Sequence, residues 1–413
     1  MGKYFSDAVE TALQYIFYDN RTRTSRGQEG LKLLMAASEA GDADADCILA
    51  RCLSGVQYVW SGHQFPEDDE KVNFLTKRSV IGGSAIGVLM AKRNGNLKGA
   101  LVRQMPLSLR DAYHIVLEKA AAGDAYCQYA IGCTYYWWDF LSIQDKGRED
   151  FPSTKAYHDY ITENISQCED WFWKSFRGGM YMAGNNLYHY YTKGDEDYVA
   201  PQPEKAATIF QTGAEMGYPI HQFFYAQDLE EAGRKAEAVE WYRRAAEGGQ
   251  LGLWYKLGRF YMDGDGVPQD PVQAAYCYER SAAEGEVGGV NLLGDAYYFG
   301  RGVPKDPAKA FALYRRAYEE MENSYGVDHL ARCYLEGWGT VPDYAKAYAL
   351  AWEFKGEPVC QYILGRIYCE GLGMPKDIAK GVDFFRRAAK DAPEAAEELK
   401  NYKKTLFGKW KRR

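Results

Sequence analysis

The chain has 413 residues and a formal net charge of −7, and 46% of its residues are hydrophobic. The acidic balance excludes non-specific nucleic-acid binding by the chain as a whole, because such binding needs an excess of lysine and arginine. No run of 18 apolar residues occurs, so a membrane-spanning helix is excluded as well. The N-terminus lacks the apolar run of a secretory signal peptide, and we therefore expect a cytoplasmic protein.

The first 106 residues show only faint regularity. The segments 30–41 and 46–50 have the small-residue and apolar spacing of short helices. A long connection around Trp60 follows, and its acidic end at Glu70 predicts a helix start, since carboxylates favour helix N-termini. We interpret residues 1–106 as degenerate N-terminal helical repeats.

The spacing is clearer from 107 to 234, but it is interrupted once. Ile131 and Leu187 occupy equivalent positions 56 residues apart, about 20 more than one repeat period. This excess predicts a long inserted loop at about 139–160, between the two helices of one repeat. Such insertions often lie on a binding face, and a tolerated surface loop is the alternative.

Three bulky rings, Tyr136, Trp137 and Trp138, run together at the edge of the insertion. A helix cannot bury three consecutive positions on one face. We therefore expect at least one of these rings to be exposed, or to be covered by the insertion.

The clearest signal is a turn that recurs four times in the C-terminal half. Its first glycines follow one another at intervals of 36, 37 and 34 residues. A period in this range indicates a stacked repeat protein. The four copies are 261–270, 297–306, 334–343 and 368–377.

Each turn separates two amphipathic helices. Upstream of the first copy, Trp254, Leu257 and Tyr261 fall on one helical face. Glycine ends this helix because it accepts positive φ, and Asp270-Pro271 begins the next helix by capping its free N–H groups. One hairpin cannot bury its apolar face alone, so we predict an all-α fold, a right-handed superhelical α/α solenoid of stacked helical hairpins.

The repeated pattern is Leu-Gly-x-x-Tyr-x-x-Gly-x-Gly-Val-x-x-Asp, followed by Lys-Ala and then Tyr-x-x-Ala-Ala-x-x-Gly. It resembles the hallmark of the Sel-one-like repeat family, a relative of the tetratricopeptide repeat. The resemblance is strong over 235–390, moderate over 107–234 and weak over 1–106. We interpret 391–413 as a capping helix followed by a basic tail, either solvated and frayed or in contact with an acidic partner.

The residue types that carry catalysis or bind metals do not form recognisable motifs. The nine cysteines share no repeat position, so we expect free thiols in a reducing compartment. No Cys-x-x-Cys, His-Glu-x-x-His or Ser-x-x-Lys motif occurs. The Gly-x-Gly turns follow helices rather than strands, so they are not phosphate loops, and the glycine-rich segment 82–87 is interpreted as a repeat junction. We expect no metal, no cofactor and no enzymatic activity.

In tetratricopeptide-like stacks the first helix of each hairpin lines a concave surface. Polar and aromatic residues rotated away from the core stripe of these helices are the types that anchor protein interfaces. Aromatic residues are 15% of the chain, however, and most of them must be core. We expect the three arginines of this set to serve partner binding rather than stability. The predicted partner-binding residues are Tyr129, Tyr136, Trp137, Trp138, Asn185, His189, Gln227, Tyr255, Arg259, Asn291, Asp295, Tyr298, Asp328, Arg332, Tyr362 and Arg366.

The leading functional hypothesis is a scaffold or adaptor that binds a protein or peptide partner in its concave groove. Members of the family that the chain resembles commonly act as scaffolds, and the resemblance implies that class only. The alternative is a sensor or specificity subunit of a larger enzymatic complex, with the 139–160 insertion contacting the enzyme. A hydrolase is the least favoured hypothesis.

Overall fold

The secondary structure of the described residues is almost all α-helical, and the chain divides into two compact units, Met1–Leu251 and Gly252–Arg413. In the part of the chain that the structure describes, the strand segments are a short C-terminal hairpin and one isolated bridge. The computed structural model describes residues 4–18, 24–55, 65–195, 197–405 and 408–413.

The helices of the first unit follow one another along the chain, with a π-helical segment after the first helix and a 3-10 turn before the tenth. They are α1 (Asp7–Leu13), α2 (Thr24–Glu39), α3 (Ala43–Cys52), α4 (Asp69–Ile81), α5 (Ala85–Arg93), α6 (Ala100–Gln104), α7 (Leu109–Ala121), α8 (Ala125–Tyr136), α9 (Asp139–Ile143), α10 (Thr154–Arg177), α11 (Tyr181–Lys193), α12 (Pro203–Glu215), α13 (Pro219–Glu231) and α14 (Lys235–Glu247).

The second unit continues with helices of similar length and ends in two antiparallel strands. Its elements are α15 (Leu253–Asp263), α16 (Pro271–Ala283), α17 (Val287–Phe299), α18 (Pro307–Glu319), α19 (Val327–Glu336), α20 (Tyr344–Glu353), α21 (Pro358–Glu370), α22 (Ile378–Ala388), α23 (Pro393–Leu399), β1 (Tyr402–Lys404) and β2 (Trp410–Arg412).

Neighbouring helices pack as hairpins, in which we call the first helix A and the second helix B. This packing confirms the predicted all-α fold of stacked helical hairpins, while the handedness of a superhelix stays a prediction. The A/B pairs are α3/α4, α5/α7, α8/α10, α11/α12, α13/α14, α15/α16, α17/α18, α19/α20 and α21/α22.

The recurring turn has one geometry in all four copies. In the second copy Gly300 ends α17 with φ 71°, in the left-handed region that glycine tolerates. The N–H of Asp306 donates to the carbonyl of Tyr297 (3.0 Å), and the Asp306 carboxylate accepts from the N–H groups of Ala308 and Lys309. The structure therefore confirms that glycine ends the first helix and that aspartate begins the second helix. The equivalent caps are Asp270, Asp343 and Asp377.

The second glycine of the turn joins successive repeats. Gly302 has φ 75°, and a Cβ at this position would overlap the carbonyl oxygen of Pro271, at the start of the preceding helix B. Within a hairpin, a Cβ on Gly294 of helix A would lie 2.9 Å from the ring of Tyr314 in helix B. Glycine therefore sets the distance between helices as well as the turn conformation.

The region predicted as an inserted loop, 139–160, is more ordered than a loop. It contains α9, a 3-10 turn at Arg148–Asp150, and the first turns of α10. Phe140 is buried, with its ring centroid 6.0 Å from those of Tyr135 and Tyr160. The extra residues thus lengthen helix B as well as the connection, because aromatic contacts hold the segment against α8.

Two other segments clarify expectations from the sequence. The acidic end of the connection around Trp60 does start a helix, since Asp68 caps α4, while residues 56–64 lie outside the described residues. The basic C-terminus is not frayed: β1 pairs with β2, with Tyr402 opposite Arg412. Tyr402 is buried against Phe385 of α22, and this apolar contact holds the C-terminal hairpin in place. The expectation of a frayed tail is therefore wrong.

Candidate partner-binding surfaces

In the second unit the predicted binding residues occupy equivalent positions on the A helices α15, α17, α19 and α21. The guanidinium of Arg332 lies 5.2 Å from the ring centroid of Tyr362, so the rows on α19 and α21 face the same side. The residues differ in exposure. Arg259 is exposed, Tyr255, Asp295, Asp328, Arg332 and Arg366 are half-buried, and Asn291, Tyr298 and Tyr362 are buried.

Two of the three arginines are held by carboxylates of other helices. Arg366 donates through Nη1 to Glu336 of α19 (2.6 Å) and through Nε to Glu370 of its own helix (2.6 Å). Arg332 donates to Glu394 of α23 (2.9 Å). The hydrogen bond to Glu370 raises the pKa of the Arg366 guanidinium. These contacts tie helices together, so the structure favours a stabilising role over the binding role expected for Arg332 and Arg366.

Asp295 is likewise part of the framework. Its carboxylate accepts from the hydroxyl groups of Tyr314 (2.6 Å) and Tyr325 (2.8 Å). Burial, together with the Asp295 charge, raises the pKa of both phenols. Tyr325 was not among the predicted residues, yet it is 50% exposed. It lies in the connection before α19, where helical periodicity carries no information about which way a side chain points.

Three of the second-unit residues contribute little accessible surface. Tyr298 is buried and stacks on His329, with ring centroids 4.6 Å apart. Asn291 is also buried and donates to the side-chain oxygen of Asn323 (2.9 Å). Tyr362 lies beneath Arg332, as described above. Arg259 differs from them: its side chain is 60% exposed, and its ion pair with Asp263 is long, at 3.6 Å.

In the first unit, the predicted residues before and after the aromatic triplet are partly inaccessible. Tyr129 and Asn185 are buried, and Tyr129 accepts a hydrogen bond from Arg51 (2.9 Å). His189 and Gln227 are half-buried. Burial lowers the pKa of His189, so this imidazole tends to be neutral.

The aromatic triplet at the end of α8 places one ring in solvent. Tyr136 packs edge-on against Phe172 and Tyr190, with centroids 5.9 and 6.4 Å away. Trp138 has a left-handed backbone, with φ 61°, a conformation that is strained for a bulky residue. Trp137 between them is 58% exposed. This confirms the expectation that at least one of the three rings is exposed.

The fixed position of Trp138 depends on residues that the sequence did not single out. Its indole N–H donates to the carboxylate of Asp195 (2.9 Å), and its ring meets Tyr198 edge-on at 4.9 Å. Both partners follow α11, about 60 residues later in the chain. The backbone on both sides of Trp137 is therefore held by buried or hydrogen-bonded neighbours.

The cysteine thiols and Ser84, which the sequence offers as possible nucleophiles, are buried. All nine cysteines are buried, and burial raises the pKa of Cys47 and Cys52 to about 12, so these thiols are not activated nucleophiles. Ser84, in the glycine-rich segment 82–87, caps α5 by accepting from the N–H of Gly87.

Among the described residues, no group of three or more His, Cys, Asp or Glu side chains is placed to hold a metal ion. No helix in this part of the chain has the length and apolar character needed to cross a membrane.

Comparisons with known proteins identify the repeat. A segment of 56 residues is 45% identical to an exopolysaccharide production negative regulator of Rhizobium leguminosarum bv. viciae; it covers 14% of this chain and 21% of that relative. The chain thus spans about a fifth of the length of this curated relative.

Two solved structures are similar. One is a protective antigen of uropathogenic Escherichia coli strains with an SLR fold (21% identity, TM-score 0.40, 95% of this chain and 86% of that chain). The other is a Sel1 repeat protein of Oxalobacter formigenes (24% identity, TM-score 0.39, 56% of this chain and 98% of that chain).

The family model described as "Sel1 repeat" matches six segments between residues 178 and 392. They correspond to the hairpins α11/α12, α15/α16, α17/α18, α19/α20 and α21/α22 and to the helix α14, and they contain all four copies of the glycine turn. The matched segments are 178–218, 234–250, 255–286, 289–320, 328–351 and 358–392. This part of the chain is therefore built from Sel1 repeats.

Proposed function

We propose that this protein is a non-catalytic interaction protein that binds a protein or peptide partner through the surface around Trp137. Proteins with Sel1 repeats generally mediate protein–protein interactions. The observation that carries the proposal is the 58% exposed indole of Trp137 at the end of helix α8. Tryptophan is among the residues most enriched at interface positions that dominate binding energy.

The surroundings of Trp137 support this role because they hold its backbone in place. Tyr136 is packed among aromatic rings on one side, and Trp138 is hydrogen-bonded to Asp195 on the other. A preorganised anchor loses little conformational entropy when a partner covers it. An apolar ring that is fixed and exposed also gains the full benefit of removal from water.

On the helix A face of the second unit, we propose a smaller set of partner-binding residues than the sequence predicted. Arg332 and Arg366 are already ion-paired, so they have less capacity to recognise a partner. Arg259 and Tyr325 are the accessible side chains there, and we propose them as secondary contacts. Arginine and tyrosine are both enriched at interfaces.

A matched pair of variants tests the proposal. Trp137→Ala removes the proposed anchor, and Phe74→Ala removes an equally exposed ring (58%) from helix B α4. The wild-type chain is used to capture a partner from native lysate, and the purified partner is titrated calorimetrically with all three proteins. We expect Trp137→Ala to weaken binding about 30-fold, since truncating such an anchor costs about 2 kcal/mol or more. Phe74→Ala should bind as the wild type does.

Equal dissociation constants for the three proteins would contradict the role given to Trp137. Circular dichroism melts provide the control for folding, because exposed rings contribute little to stability and both variants should melt near the wild type. A sensor or specificity subunit of an enzyme complex is the second candidate, which the ordered segment around Phe140 favours. Under that alternative the captured partner is an enzyme whose turnover changes when the chain binds.

A further inference from the structure

Arg51, near the end of α3, is a buried cation that has no carboxylate partner among the described residues. It is 8% exposed. Its Nη2 donates to the hydroxyl of Tyr129 (2.9 Å), and its other polar neighbours are the thioether sulfurs of Met90 (3.8 Å) and Met182 (3.9 Å). The Nε atom of Arg51 has no hydrogen-bond partner among the described residues. Neutral hydroxyl and sulfur atoms therefore make up its polar surroundings.

The carboxylates nearest in sequence are engaged elsewhere. Asp46 accepts from Nε of Arg78 at 2.6 Å, and Asp44 accepts from the hydroxyl of Ser84 at 2.5 Å. A guanidinium does not lose its proton in a protein. Burying a charge without a counter-ion is costly. The fold thus holds a positive charge that its own described side chains leave uncompensated.

A cavity of about 210 Å³ lies beside this cation. Its walls include the apolar side chains of Ala50, Val72 and Met90 and the hydroxyl of Ser79. Ser79 is fully buried, and its Oγ has no partner among the described residues. One water molecule needs about 10–15 Å³ on the same measure, so the cavity is large enough for a small organic molecule.

Gly87 also lines the cavity and packs closely against Ser79, since a Cβ at its position would overlap Oγ of Ser79. Among the described residues, the cavity therefore combines a buried cation without a carboxylate partner and a buried hydroxyl without a hydrogen-bond partner. Because Arg51 is the one charged residue among the described lining residues, a ligand with a single negative charge would neutralise it.

We propose that this cavity binds a small organic monocarboxylate, with Arg51 as its counter-ion and Ser79 as a hydroxyl partner. The planar guanidinium matches the two oxygens of a carboxylate. The apolar part of the wall suits a short hydrocarbon group on the acid. This site is separate from the surface around Trp137 and does not depend on the function proposed for that surface.

The test uses the full chain and three acids, acetate, butyrate and benzoate, with butyramide as the uncharged counterpart of butyrate. Calorimetry and thermal shift should show binding of at least one acid and none of butyramide. Arg51→Met should weaken that binding at least tenfold, while Arg103→Met, which removes the same charge from an exposed site on α6, should not change it. Ser79→Ala should cause a smaller loss.

Folding of the variant gives an independent check. Replacing an uncompensated buried charge with an apolar side chain is often neutral or stabilising, so the ligand-free Arg51→Met protein should melt at or above the wild type. A lower melting temperature would show that the guanidinium is already compensated within the fold, and it would overturn the proposal. Absence of binding by all three acids at millimolar concentration would overturn it too.

A second pair of ligands distinguishes a free small acid from the C-terminus of a peptide as the source of the carboxylate. Pentaalanine with a free C-terminus and pentaalanine with an amidated C-terminus differ only in the terminal charge. Binding of the free peptide that is lost in Arg51→Met identifies a chain end as the ligand. Binding of the small acids without binding of either peptide identifies a free metabolite-sized acid.

Discussion

Both the repeats of the second unit and the segment before residue 178 form helix hairpins. Different local contacts stabilise the hairpins in the two regions. In the second unit each helix A ends at a glycine turn, and an aspartate such as Asp306 caps helix B. Before residue 178, an individual ion pair holds neighbouring helices together. Arg78 of α4 donates to Asp46 of α3 and to the carbonyl of Ser38 in α2 (2.9 Å), which ties three helices together.

This difference shows that the hairpin stack requires close helix packing, not one particular turn. In the second unit, a period of repeated residues encodes that packing, so the family model recognises it. In the earlier hairpins, long-range side-chain contacts provide the packing, and such contacts leave no period in the sequence. Each region should therefore be sensitive to the loss of its own kind of contact.

The largest effect is expected for the glycine that joins repeats. Gly302→Ala combines a strained backbone with overlap against the carbonyl of Pro271, so it should lower the free energy of unfolding by about 4 kcal/mol. Gly123→Ala, at a first-unit turn with φ 108° and no atom within 4 Å of the added Cβ, should cost about 1 kcal/mol. Urea unfolding followed by circular dichroism measures both, and equal losses would contradict the joining role of Gly302.

The next effect concerns the ion pair of the first unit. Arg78→Met should destabilise the protein by about 3 kcal/mol, because it leaves the carboxylate of Asp46 buried without a counter-ion. The matched variant Arg387→Met removes an exposed pair with Asp383 in α22 and should change stability by about 0.5 kcal/mol or less. A small loss in Arg78→Met would mean that the early hairpins do not rely on this contact.

A buried histidine makes the first unit sensitive to acid. Burial lowers the pKa of His221 to about 3, from an ordinary value of 6.5, and both ring nitrogens lack a partner among the described residues. The pH-dependent contribution of His221 to the free energy of unfolding is therefore fully present above pH 6.5. It is lost as the pH falls towards 3. The slope is up to about 1.4 kcal/mol per pH unit, since the unfolded chain binds one more proton.

Substitution isolates this contribution from that of the carboxylates. His221→Leu should flatten the decline in stability between pH 6 and pH 4 relative to the wild type, measured by urea unfolding at each pH. His114→Leu, at an exposed position, should keep the wild-type profile. A wild-type profile in His221→Leu would show that His221 does not titrate as its burial indicates.

The smallest losses of stability are expected for the arginines of the helix A row, among which Arg366 is ion-paired and Arg259 is accessible. Arg366→Ala should cost about 1.5 kcal/mol, because it breaks half-buried contacts to Glu336 and Glu370. Arg259→Ala should cost about 0.5 kcal/mol or less, as its side chain is 60% exposed. Thermal melts compare the two, and a larger loss in Arg259→Ala would reverse their assigned roles.

The candidate site could be predicted only in part. Helical spacing identified the row that contains Arg259 and Arg366, and three adjacent rings indicated that one of Tyr136, Trp137 and Trp138 is exposed. It could not select Trp137, because that depends on Asp195 holding Trp138. Nor did it point to the cavity beside Arg51, although an arginine within the otherwise apolar run 47–53 was a signal that could have been followed.

The sequence by itself determined the repeat, its period and the residues that end and begin each helix. These features depend on residues within one turn, such as Gly300 and Asp306, so a local pattern suffices to recognise them. Only the tertiary structure decided which polar side chains remain accessible. Arg332 is paired with Glu394, 62 residues away, and Arg366 with Glu336, 30 residues away. Burial and charge pairing arise between helices that are distant in the sequence, and no local pattern reports them.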